Sequence, residues 1–171
     1  YDGSPHLRVY IDKVKLPNGE IIDNYHRIEG NDAVLLLVEN AKNELLVYNE
    51  YRHGIGKRSY TLPAGGIKKN ENSLEASDRE LLEETGYVSK QKQLLGKYQV
   101  SGSYKLANIS VVYHWEIIKQ YKATEIDIEN PELIWLNRDK VLKALKNNKF
   151  ISMMHLSAVL MWIFKESLPY D

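Results

Sequence analysis

Apolar and polar residues alternate from Leu7 to Lys15 and again from Glu20 to Ile28, with Pro17-Asn18-Gly19 between the two runs. A period of two places alternate side chains on opposite faces of a strand, and a turn with one fixed φ and one residue free to take positive φ closes an antiparallel hairpin. Ala33 to Glu39 and Leu45 to Tyr51 are short runs rich in Val and Leu. Joined by Asn40-Ala41-Lys42-Asn43, they suit two central strands linked by a tight loop in a mixed sheet. Gly54, Gly56 and Pro63-Ala64-Gly65-Gly66 mark irregular backbone before a helix predicted from near Ser73, with Gly86 as the residue just past its end. Ser73 is followed three residues later by Ala76, so it lacks the acid that completes a capping box. Strand patterns return from Gln93 to Val100, from Asn108 to Ile118 and, after Pro131, from Leu133 to Leu136. Asn137 can cap a helix carrying Val141, Leu142, Ala144 and Leu145 on one side, and a closing helix is expected from about Ile151 to Glu166. The pattern is that of an α+β fold with an N-terminal antiparallel hairpin over residues 7–30.

Composition narrows the picture. A chain of 171 residues, 43% of them hydrophobic, is the size of one compact domain, and no repeat or long linker divides residues 1–171. Its 23 basic and 23 acidic side chains leave no overall field to hold it on nucleic acid or an anionic membrane, so electrostatic specificity must be local. The absence of cysteine excludes a disulfide scaffold, thiolate zinc sites and cysteine catalysis, and fits a cytoplasmic location. The apolar run Ile151 to Phe164 is shorter than the roughly 18 residues a membrane-crossing helix needs. The amino end, Tyr1 to Tyr10, has neither a starting Met nor an apolar signal core and reads as a trimmed end that says nothing of targeting.

Local charge does change the picture. Glu71, Glu75, Asp78, Glu80, Glu83 and Glu84 stand against the one base Arg79 within fourteen residues. On a helix, Glu80, Glu83 and Glu84 share a face, while Leu74, Leu81 and Thr85 fall on another that would anchor in the core. A solvated surface helix is one reading, since Arg79 is four residues from both Glu75 and Glu83 and such pairs contribute roughly 0.2–0.5 kcal/mol each. Glu80 opposes it, because its like-charge contacts with Glu83 and Glu84 cancel gains of that size. A hard divalent cation such as Mg²⁺, which takes carboxylate oxygens and bridges to phosphates, makes the same charge a site.

The spacing decides between the two readings. Gly65 is followed after five residues by Glu71, and after seven more by Arg79-Glu80-Leu81-Leu82-Glu83-Glu84-Thr85-Gly86-Tyr87. This run over residues 65–87 resembles the complete Nudix box, with an aromatic at its last position. Upstream, "LPNGEII" and "YNEYRHG" resemble the hairpin and the "QYR" strand of ADP-ribose and nucleoside-diphosphate-sugar pyrophosphatases, and "PELIWLNRDKVLKAL" is similar to their closing strand and helix. The resemblance implies a Nudix fold, a mixed β-sheet sandwiched between α-helices. It also implies hydrolysis of a nucleoside diphosphate derivative with Mg²⁺ or Mn²⁺, and a homodimer.

Carried over by motif position, Glu83 and Glu84 would be the main metal ligands, Glu80 a further ligand or the base for the attacking water, and the carbonyl of Ala64 a backbone ligand. Arg79 would orient a glutamate, and Glu71 would support the site. Arg52 is a candidate phosphate contact, against the alternative of a strand-edge arginine. Tyr104 is a candidate for stacking on a base, against ordinary packing. Three departures stand out. Thr61 replaces the Glu often found before Pro-Ala-Gly, Ser101 to Asn108 carries no carboxylate, and a base outside the box would have to come from Glu125, Asp127 or Glu129. The expected substrate is ADP-ribose or a nucleoside-diphosphate sugar. A noncanonical nucleoside triphosphate, or a non-catalytic nucleotide-sensing role, are the alternatives.

Overall fold

The computed structural model describes residues 1–119, 121 and 131–167. Three strands, β1 (Asp2–Gly3), β2 (Leu7–Lys15) and β3 (Ile21–Gly30), form an antiparallel sheet at the amino end. The body holds two further sheets. In one, β7 (Ala64–Gly66), β4 (Ala33–Val38), β9 (Asn108–Lys119) and β8 (Tyr87–Gln99) lie in that order, with β4 and β9 parallel and the other pairs antiparallel. In the other, β5 (Leu45–Arg52) lies between β10 (Glu132–Leu136) and β6 (Lys57–Thr61), antiparallel to both. The helices are α1 (Ser73–Thr85), α2 (Arg138–Lys146) and α3 (Met153–Ile163), with a short 3₁₀ turn at Lys165–Ser167.

Alternation along β4 builds both layers of the core. Leu35 and Leu37 pack toward α2 and α3 with Val141, Val159 and Trp162, whereas Val34, Leu36 and Val38 pack toward α1 with Ala76 and Leu81. All five of those β4 side chains are fully buried, which is why the strand reads as an unbroken apolar run. The expected sandwich of mixed sheet between helices is the architecture observed.

Several expectations are corrected. The runs joined by Asn40 to Asn43 are strands, yet β4 and β5 lie in different sheets, linked by an isolated bridge between Glu39 and Leu45. β8 starts at Tyr87, well before Gln93, because it is an edge strand whose exposed Lys90 and Gln91 give no apolar period. In α2, Val141 and Ala144 are buried while Leu142 is 44% exposed, one helical step off the apolar stripe. α3 is shorter than its apolar run, ending at Ile163 with Phe164 as its C-cap. Among the described residues no helix is long and apolar enough to cross a membrane.

Candidate active site

α1 is placed by its ends. Asn72, not Ser73, is the N-cap: its side chain accepts the Leu74 and Glu75 N–H groups at 2.9 and 3.0 Å, and Glu75 returns a bond from the Asn72 N–H at 2.9 Å. The full capping box is therefore present one residue earlier than Ser73, and it employs Glu75. Gly86 closes the helix at φ 68°, a left-handed conformation that only glycine adopts cheaply. Asp78 is paired with Lys92 on β8.

Glu71, Glu80 and Glu83 converge on Arg79. Glu71 grips the guanidinium at two points, Nε to Oε1 at 2.8 Å and Nη2 to Oε2 at 2.8 Å, and Arg79 Nη2 also donates to the Gly66 carbonyl at 2.8 Å. The remaining nitrogen, Nη1, reaches Glu80 Oε1 at 2.6 Å and Glu83 Oε2 at 3.0 Å. Arg79 thus orients two glutamates where one was expected, and Glu71 in turn orients Arg79. Its bonds to Arg79 and to the Lys68 N–H hold the Glu71 carboxyl at about 2, well below the usual range, and raise the Arg79 guanidinium above its own.

Glu80 is only 7% exposed, which corrects the simple division of α1 into one apolar and one acidic face. Its carboxylate lies over Gly65, so close that a Cβ there would stand 1.9 Å from Glu80 Cδ and 2.1 Å from Oε1. That contact accounts for the glycine that opens the box. Ala64, half-buried beside it, pairs with Leu35 across β7 and β4. Glu84 sits in the last turn, where its backbone carbonyl accepts the Tyr48 hydroxyl at 3.3 Å. A polar cavity of about 410 Å³ opens between the loop and the helix, lined by Asn31, Gly66, Ile67, Lys68, Arg79, Glu80 and Glu83.

Among the described residues, no three acids or histidines are already gathered in a metal-binding cluster; Glu80 and Glu83 are held by Arg79. The donor set still suits a hard divalent ion, since it is made of oxygen alone, and glycine at 65 keeps clear the space that the Glu80 carboxylate occupies.

Arg52 is 38% exposed and pairs with Glu50 Oε1 at 2.6 Å. Tyr104 is half exposed, and its backbone carbonyl accepts the Ile28 N–H at 2.9 Å, tying the Ser101–Asn108 loop to β3. It is absent from the lining of the acidic cavity. Glu125, Asp127 and Glu129 lie outside the described residues. Tyr60 packs edge-on against Phe150. His114 and His155 are buried, bonded to Ser89 and to the Leu62 N–H respectively, and desolvation pushes both down to about 4.

Sequence reasoning missed Asn31, Lys68 and Glu50. Lys68 approaches Glu83 at 3.9 Å and gives its backbone N–H to Glu71 at 2.9 Å, but nothing in the spacing singles it out. The Asn72 cap was readable from Glu75 three residues on.

A family model described as NUDIX domain matches residues 30–156. A methanol dehydrogenase activator of Bacillus methanolicus is 26% identical over 165 residues, covering 96% of this chain and 89% of that protein. An ADP-ribose pyrophosphatase of Bacillus subtilis (strain 168) is 21% identical, covering 95% and 88%. The crystal structure of an ADP compounds hydrolase superposes with a TM-score of 0.79 at 19% identity, covering 98% of this chain and 89% of that one. At that identity the superposition speaks for the fold, hairpin included.

Proposed function

The chain belongs to the NUDIX domain family and is a Nudix hydrolase, and on that premise we propose that it cuts the pyrophosphate of ADP-ribose or a related nucleoside-diphosphate sugar. The observation that carries this reading is the seating of Glu80 over Gly65 with Arg79 holding Glu80 and Glu83 together, every carboxylate of the box being retained. The names of two relatives, an ADP-ribose pyrophosphatase and an ADP compounds hydrolase, favour a nucleoside diphosphate over a triphosphate.

In this reading the oxygens of Glu83 and Glu84 and the Ala64 carbonyl would hold the metal, with Glu80 either a further ligand or the base for the attacking water. Mg²⁺ or Mn²⁺ bound there would neutralise phosphate oxygens and acidify a nearby water. The chain's own groups do the rest. Glu71 locks Arg79, and Arg79 holds Glu80 and Glu83 side by side at the Gly65 loop before substrate arrives. Glu80 accepts a proton from the attacking water, whose oxygen bonds to one phosphorus. The bridging P–O bond breaks, and its electron pair leaves with the second phosphate. Arg52 contacts phosphate oxygens, Tyr104 stacks on the base, and Glu129 is the alternative base.

A second copy would cover the exposed Ile11 and Ile21 of the hairpin and Met153 and Phe164 around α3, giving a homodimer that sedimentation equilibrium would reveal. The deciding experiment for the substrate is a panel of ADP-ribose, nucleotide sugars, dinucleotides and triphosphates, with and without Mg²⁺. AMP and ribose 5-phosphate from ADP-ribose are the expected products. Preference for a triphosphate would overturn the substrate assignment, and saturable nucleotide binding without turnover would favour a sensing module.

A further inference from the structure

Glu50 is buried to 1% exposure on β5, yet it carries an acid. Its Oε1 accepts the Thr61 hydroxyl at 2.5 Å and is ion-paired with Arg52 Nη2 at 2.6 Å. A carboxylate taken out of water is costly unless such partners satisfy it, so the position is a specified one. Register explains the geometry. Tyr48 stands opposite Thr61 and Glu50 opposite Ser59, so Tyr48, Glu50 and Arg52, two residues apart in turn, share one face with Thr61. On that face the Tyr48 hydroxyl meets the Glu84 carbonyl in the last turn of α1. From Thr61 the chain runs on through Leu62, whose N–H is taken by the buried His155 ring at 3.0 Å, into Ala64 and Gly65.

The Nudix resemblance leads one to expect a glutamate at position 61, where this chain has threonine. The structure nonetheless sets a carboxylate against that position, supplied from the neighbouring strand. We propose that Glu50 is the positioning residue of the diphosphate site: it aims the Arg52 guanidinium at the substrate phosphates and does so through the oxygen it shares with Thr61. This rests on the hydrolase reading above and adds to it a specific source of phosphate affinity.

The test is steady-state hydrolysis of ADP-ribose with Mg²⁺ by Glu50→Gln, Arg52→Ala, the double variant, and Glu50→Gln/Thr61→Glu, with circular dichroism melts of each. Glu50→Gln keeps the shape and loses the charge, so KM rises about tenfold or more while kcat stays within about threefold. The double variant is no worse than Arg52→Ala alone, and moving the carboxylate to position 61 recovers most of the lost affinity. A merely structural role would instead lower the active fraction, and so kcat, with KM in place. Unchanged KM in a folded Glu50→Gln, or additive losses in the double variant, would overturn the proposal while leaving wild-type hydrolysis intact. Absence of turnover by the wild-type protein would overturn the hydrolase reading and this inference with it.

Discussion

Replacing Gly65 by alanine is a one-carbon change directed at the acid whose placement matters most. The added Cβ would lie 1.9, 2.1 and 2.2 Å from the Cδ, Oε1 and Oε2 of Glu80. Non-bonded carbon and oxygen atoms settle near 3.5 Å, so the carboxylate must retreat by about 1.5 Å. It cannot swing into solvent freely, because Glu80 is 7% exposed and tied to Arg79 at 2.6 Å. Displacements of about 1 Å in a reacting group cost on the order of a hundredfold in rate, or about 2.7 kcal/mol of barrier. Gly65→Ala is therefore predicted to lower kcat/KM for ADP-ribose by about a hundredfold or more. Gly54→Ala is the control, since a Cβ there meets nothing within 4 Å and the residue lies outside the cavity lining, and it should stay within about threefold of wild type. Far-ultraviolet circular dichroism and thermal melts establish that both variants are folded. A folded Gly65→Ala with wild-type turnover would refute the idea that the glycine exists to seat Glu80.

Glu83→Gln should reduce turnover by at least about a hundredfold while the melting temperature stays level, because the amide keeps the volume and loses the charge. Arg79→Ala leaves Glu71, Glu80 and Glu83 facing one another without their common cation, and a loss of about 3 kcal/mol in urea unfolding is expected, with Arg79→Lys intermediate because lysine cannot grip Glu71 at two points. Stability should also fall as pH drops from about 6.5 to about 4. The unfolded chain then protonates His114 and His155, whereas the folded one keeps both neutral, and each contributes on the order of 3 kcal/mol of loss at about 1.4 kcal/mol per pH unit. Below about 4.5 the Glu71 carboxylate, held at about 2, adds loss of the same sign. Urea midpoints at pH 7, 5.5 and 4 check this, and a flat profile would contradict it.

The elements that a sequence shows best are those whose burial is simple. β4 was legible because burial on both faces leaves an unbroken apolar run, and α1 because its buried residues recur at helical spacing between clear end signals. β8 was only half visible, since an edge strand needs no apolar face along its exposed half. The pairing of β4 with β9 and of β5 with β10 depends on contacts far apart in sequence, which local pattern does not carry. In the site, spacing named Gly65, Arg79 and the box acids. It did not show that Arg79 would gather two of those acids while a third grips it. Glu50 was hidden for a related reason: an acid in a strand reads as an outward-facing residue until its partners across β6 are known.

The account rests on α1 and the Gly65 loop forming a divalent-cation site for a diphosphate. The most direct measurement is calorimetric titration of Mn²⁺, in the presence of ADP, into the wild-type protein and into folded Glu83→Gln/Glu84→Gln. Saturable uptake by the wild type that is lost in the double variant is the predicted result. No uptake by the wild type, or equal uptake by both proteins, would contradict the account.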